Sequence, residues 1–217
     1  MDPLLQDMFN EYQAQLGKLF GQSLNVYRPP LGVTVDQTPA LVLPNVQIKV
    51  EKGRSDLAQP GIHNIEYYSI FGDYTQIQAG DILVPEDPTS NTPDVTFISK
   101  SPGEEAKGVR TSRTCNLITN FSPADGSTNT IYSNVRFEFL PTGFPSNQFA
   151  DLVLGRGSVP TISAIIYSLP NMQQVNVTAY DIAGVKLIDV SGVQPVTYTV
   201  KLVEEITPIL HMVLQQE

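Results

Sequence analysis

The first twenty residues carry a helical pattern of apolar positions. Leu5, Phe9, Tyr12, Leu16 and Leu19 recur at alternating spacings of four and three, which sets them on one face of a helix. Leu4, Met8 and Phe20 widen the stripe. Asp2 suits an N-cap, Pro3 suits the first helical position, and Gly21 suits a stop. A short N-terminal α-helix is therefore predicted over residues 1–21. Its stripe must be covered either by this chain's own sheet or by a neighbouring subunit or partner.

Beyond residue 21 the period changes from helical to alternating. Tyr27-Arg28-Pro29-Pro30 is extended, because proline lacks a donor and biases its predecessor away from helix. Val33 and Val35 suggest a short strand. Val46, Ile48 and Val50 share one face of another. Ile65–Phe71 is aromatic and β-branched, and Ala79-Gly80-Asp81 makes a tight turn ahead of Ile82-Leu83-Val84. Val95–Ile98, Val109–Phe121, Ile131–Leu140, Thr161–Tyr167, Asn171–Tyr180, Val185–Val190 and Val196–Val203 continue the strand pattern, and residues 146–153 suit a short helix or turn. Short strands punctuated by Gly and Pro predict a mainly β chain of antiparallel sandwich or barrel units. Loops cluster between about 100 and 125, including a polar segment over 101–108. This suggests a barrel-like unit over 22–110 and a second β unit over 111–217, with one continuous sandwich as the alternative. No repeat of fixed period is visible. The apolar end, Ile209–Leu214, is either a strand of its own sheet or a strand given to a neighbour.

Composition narrows the function classes. The chain has 217 residues, a net charge of −9 and 16% charged residues. Soluble domains average about 25% charged. A surface of neutral polar groups suits packing against other proteins, because such groups are cheaper to desolvate than ions. The 13 Lys and Arg are scattered, which argues against sequence-specific nucleic-acid binding. Lys107, Arg110 and Arg113 form a small basic cluster, suited to an acidic neighbour. No apolar run is long enough to span a membrane and no signal peptide is visible, so synthesis in a cytoplasm is expected.

The candidate chemistry is sparse. Cys115 stands alone in an alternating run and reads as a buried strand residue. His63 lies beside a turn and His211 between Leu210 and Met212; neither has metal-ligand spacing. Gly155-Arg156-Gly157-Ser158 lacks the Lys-Ser or Lys-Thr of a phosphate loop. Asp73 with Asp81, or Glu86 with Asp87, could form a glycosidase pair, but polar turns account for them. Asp125-Gly126-Ser127 is a turn that could offer oxygens to calcium. No catalytic, cofactor or metal residue is assigned, and an enzyme is not expected.

The N-terminal helix, the strand Ile65–Phe71, Gly72-Asp73 and the segment Gln78-Ala79-Gly80-Asp81-Ile82-Leu83-Val84 together resemble the small β proteins at the head–tail junction of tailed bacteriophages. The resemblance covers about residues 1–100. It implies a ring-forming virion protein of the neck, made in the host cytoplasm and joined to copies of itself and to portal, adaptor, tail-tube or terminator proteins. Tail, baseplate or fibre-adaptor proteins share the style. A carbohydrate- or receptor-binding module, using Tyr67, Tyr68 and Tyr74, is an alternative of another class. The expected docking elements are Leu5, Phe9, Tyr12 and Leu16 on the helix, the Lys107–Arg113 loop, and Ile209, Leu210 and Leu214 at the end.

Overall fold

In the computed structural model, the described residues are 3–30, 36–53, 67–99, 106–119, 130–140, 161–167, 185–206 and 209–217. They form one helix, α1 (Pro3–Phe20), and twelve strands, which divide between two compact units. The chain is mainly β with antiparallel ladders throughout both units, as its alternating patterns predict. The readings of Val33 and Val35, of residues 146–153 and of Asn171–Tyr180 lie outside the described residues.

The first unit holds β1 (Gln22–Arg28), β2 (Ala40–Lys52), β3 (Tyr67–Gly72), β4 (Ile82–Pro85), β5 (Val95–Ser99) and β6 (Ala106–Arg110). They close into a barrel in the order β1-β2-β3-β6-β5-β4, with β4 returning to β1. Alternation places Leu24 and Val26 of β1, Ile48 of β2, Ile70 of β3, Val95 and Phe97 of β5 and Ala106 of β6 in one buried cluster. Asp81 ends the Ala79-Gly80-Asp81 turn, where its N–H donates to the Gln78 carbonyl at 3.0 Å. The run from Val109 to Phe121, expected as one strand, is broken at Thr111-Ser112. The chain leaves the first barrel there and begins the second.

The second unit holds β7 (Arg113–Thr119), β8 (Thr130–Phe139), β9 (Thr161–Tyr167), β10 (Lys186–Asp189), β11 (Val196–Ile206) and β12 (Ile209–Gln216). Its order is β7-β8-β9-β12-β11-β10, with β10 returning to β7. Residues 36–38 join this unit, through a bridge between Asp36 and Ser133. Cys115, Leu117, Val135, Phe137, Leu187, Val200, Met212 and Leu214 fill its interior.

The two orders are the same: in each barrel the first three strands are followed by the sixth, fifth and fourth. The correspondence extends to register. In the first barrel Leu24 pairs with Val46 and Val26 with Leu43, so one residue, Asn25, faces two. In the second, Cys115 pairs with Val135 and Leu117 with Tyr132, so Asn116 does the same. Each bulge places an asparagine in the left-handed region, Asn45 at φ 56° and Asn134 at φ 60°. Asparagine is the side-chain-bearing residue that tolerates this region best. The Asn45 N–H donates to Asn25 Oδ1 at 3.2 Å, and the Asn134 N–H donates to Asn116 Oδ1 at 3.4 Å. A second irregularity falls between Phe97 and Ser99 in β5 and between Val200 and Leu202 in β11. Beyond the ladders, Glu86 N–H donates to the Ser23 carbonyl at 3.1 Å where Val190 N–H donates to Thr114 at 3.0 Å. Thr111 to Asp94 is matched in the same way by Glu217 to Thr197, both at 3.1 Å. Among the described residues the fold is a structural duplication of one six-stranded barrel topology. The sequence shows no fixed period because loops of different length separate the matching strands.

Candidate functional site

The helix α1 rests on β2 and β3 of the first barrel by its small and polar side. Gly17 and Gln13 are buried there, while Asn10 and Ala14 are half-buried. The contact at Gly17 is made by backbone: a Cβ at that position would lie 2.6 Å from Gly72 Cα and 2.7 Å from the Gln47 carbonyl oxygen. Glycine on both elements is what allows so close an approach. At the helix end, the Lys49 ammonium lies 5.5 Å from the Phe20 ring and 5.8 Å from the Phe71 ring. The Gly21 N–H donates to the Gly17 carbonyl at 2.8 Å, closing the last turn as expected of a stop at Gly21.

The apolar stripe is turned away from that seat. Leu4, Leu5, Met8, Tyr12, Leu19 and Phe20 keep between 56% and 73% of their surface exposed. Phe9 and Leu16, at the edge of the stripe, are half-buried. An amphipathic helix on its own domain normally buries its apolar face. Here that face is open, so of the two expected covers for the stripe, this chain's own sheet is not the one it has. Isolated exposed apolar residues are ordinary, whereas this set is contiguous, which makes it the candidate site among the described residues.

The other expected docking groups lie elsewhere. Leu210 and Leu214 are buried in the second barrel, where β12 pairs with both β9 and β11. The C-terminal run is therefore an internal strand, which withdraws these two residues as docking groups. Ile209 begins the same strand, opposite Ile206 and Tyr167. The apolar character of Leu210 and Leu214 reflects burial in the barrel wall, a signal that chain-end position alone obscured. Lys107 and Arg110 are exposed on β6, a strand rather than a loop. Arg113 opens β7 and is committed to its own barrel: it forms an ion pair with Asp189, and its guanidinium carbon lies 4.9 Å from the Phe139 ring.

Each barrel is clasped by one such pair across the seam between its first and fourth strands. In the first, Arg28 Nε and Nη2 donate to the two Asp81 carboxylate oxygens at 2.7 and 2.8 Å. Asp81, 1% exposed, also accepts from the Gln78 N–H at 2.8 Å. In the second, Asp189 takes Arg113 on one oxygen and the Ser191 N–H, at 2.9 Å, on the other. Burial alone would raise the Asp189 pKa; the bonds from Arg113 and Ser191 outweigh it and hold the carboxyl below its ordinary value. Burial pushes the Cys115 thiol far up, and the Asp189 charge adds to it, so the thiolate is suppressed.

The remaining acidic candidates serve turns. Asp73 accepts from the Thr75 N–H and hydroxyl, and Asp87 accepts in the same way from Thr89. Asp36 repeats the motif with Thr38 and also takes the Asn134 amide at 3.1 Å. No group of three His, Cys, Asp or Glu side chains suited to a metal occurs among the described residues. His211 is buried within β12, while His63, Asp125-Gly126-Ser127 and Gly155–Ser158 lie outside the described residues. Of the three tyrosines considered for a sugar platform, Tyr68 and Tyr74 are core residues and Tyr67 alone is exposed, so they form no common face. Comparison of the chain with protein-family models, with curated proteins and with solved structures found no match.

Proposed function

We propose that this chain is a structural protein that works by assembly, as a ring-forming component of the neck of a tailed phage particle. The observation that carries the reading is the open apolar face of α1. A folded barrel that seats a helix through glycine and glutamine, and holds out leucine, methionine and tyrosine, has a surface made for another protein. The barrels give the same direction. Among the described residues both sheets close on themselves, so contacts to neighbours fall to side chains rather than to a strand edge. The acidic charge suits a wall that DNA passes without adhering. A ring multiplies modest contacts into a durable joint. The placement in a neck rests on the resemblance of residues 1–100 described above.

The test is incorporation. Full-length protein carrying Leu5→Glu and Tyr12→Glu should fold, with unchanged circular dichroism, and should fail to enter particles, leaving heads and tails unjoined. Normal joined particles containing the variant would reject the reading.

A further inference from the structure

The two bulge asparagines bind matching partners drawn from different parts of the chain. In the first barrel, both ends of the Asn45 amide find partners when its nitrogen faces Glu86, 3.0 and 2.8 Å from the two carboxylate oxygens. In the second, Asn134 Nδ2 donates to Asp36 Oδ1 at 3.1 Å and to Thr38 Oγ1 at 2.7 Å, so each amide hydrogen has an acceptor. Glu86 and Val190 occupy matching places, since each donates its N–H across the seam, to the Ser23 and the Thr114 carbonyl respectively. Valine has no carboxylate to offer. The acid that the second bulge binds comes instead from the connection between β1 and β2.

That segment is closed on itself. Asp36 accepts from the Thr38 N–H at 2.9 Å and from its hydroxyl at 2.6 Å, a turn made within three residues. The Thr38 hydroxyl first, and the Asn134 amide next, hold the Asp36 carboxyl below its ordinary value. Beside it the Gln37 N–H donates to the Ser133 carbonyl at 2.9 Å, and Gln37 is buried. Main chain and side chains therefore dock together on Ser133-Asn134. The bonds from Asn134 lie at the surface, where a hydrogen bond contributes little and local opening is cheap.

We propose that Asp36-Gln37-Thr38 is a releasable strap, which lends the second barrel's bulge the carboxylate that the first barrel draws from Glu86 and opens as a unit when that bond is lost. The inference goes beyond the reading of α1 and does not depend on it. Closed, the strap ties the connection between β1 and β2 to a sheet built from the other half of the chain. Open, it releases that connection while the β7–β8 ladder stays paired.

Exchange of the Gln37 amide, followed by two-dimensional NMR on the full chain, reads the opening. Asp36→Ala should speed it about tenfold, the effect of losing one hydrogen bond to a charged group. The Val190 amide, bonded to the Thr114 carbonyl, should stay protected in the same variant, which marks the opening as local. Asn134→Gly keeps the left-handed backbone and should speed Gln37 exchange equally, with circular dichroism unchanged. The double variant should add nothing, because both changes open one latch. Val190→Glu places a carboxylate where Glu86 stands in the first barrel. It should take the Asn134 amide, repel Asp36 and speed Gln37 exchange about tenfold with strap and seat both native, whereas Val190→Thr should not. Unchanged Gln37 exchange in Asp36→Ala or Asn134→Gly would overturn the strap. So would additive effects in the double variant, or equal acceleration at Gln37 and Val190. Native exchange in Val190→Glu would overturn the correspondence with Glu86 on which the proposal rests.

Discussion

The two barrels use one topology and close it at opposite ends. In the first, the Arg28–Asp81 clasp joins the end of β1 to the start of β4. In the second, the Arg113–Asp189 clasp joins the start of β7 to the end of β10. The seam is the same, four residue pairs in each case. One Arg–Asp pair reinforces it in each barrel. The cores differ more. Ile48 stands where the second barrel has Phe137, and Gly108 stands where it has Leu214. What is shared is backbone chemistry: the facing asparagines Asn25 and Asn116, the left-handed Asn45 and Asn134, and the paired bulges. The comparison teaches that register is held by a few polar positions while interior side chains at matching positions differ in size.

The sharpest way to break the comparison is through the cores. Phe137→Ala should cost about 3–5 kcal/mol and Ile48→Ala about 2–5 kcal/mol. Hydrogen exchange followed by mass spectrometry should find the lost protection concentrated in the barrel that carries the change. Equal loss in both would contradict two separate cores. The clasps come next. Asp81→Asn removes the buried carboxylate that a half-buried arginine holds by two bonds and should cost about 2–3 kcal/mol, more than Asp189→Asn, whose arginine is the more exposed. Denaturant midpoints of the two variants decide the order.

The bulges should respond alike. Asn45→Ala and Asn134→Ala each force alanine into the left-handed region and should cost about 1 kcal/mol, while the glycine variants should be close to neutral. A difference between the two sites would show that the duplication is less strict than its register. The smallest effect concerns acid. The Asp189 carboxyl is held below its ordinary value, so its contribution is complete above the unfolded carboxylate pKa of about 3.9 and is lost as pH falls through the lower folded value. Below about pH 4 the second barrel should lose protection through this group, and Asp189→Asn should flatten that limb of the acid titration.

The fold class was legible because alternation, turns and prolines agree over most of the chain. The helix was legible from Leu5 to Leu19, and its open face was one of two readings that the stripe allowed. The duplication was not legible. The side chains that repeat, Asn25 with Asn116 and Asn45 with Asn134, are too few to rise above background, and they act through backbone geometry that only register reveals. The seat of the helix was hidden for a related reason. Gly17 lies off the stripe and carries no signal in the pattern of apolar positions, whereas it is the point of close backbone contact. Leu210 and Leu214 were misplaced because an apolar chain end looks the same whether it completes its own wall or reaches for another.

The orientation of α1 is set by atoms that are missing. With hydrogen alone at Gly17 and Gly72, helix and strand meet at main-chain distance, and Gly72 holds a φ of 152° that side chains rarely adopt. A single methyl group at position 17 would act as a wedge: it would lift the helix, tilt it about its Phe20 end, and re-aim Leu5 and Tyr12 without altering either. The way the stripe is presented can therefore change through a residue that lies outside it.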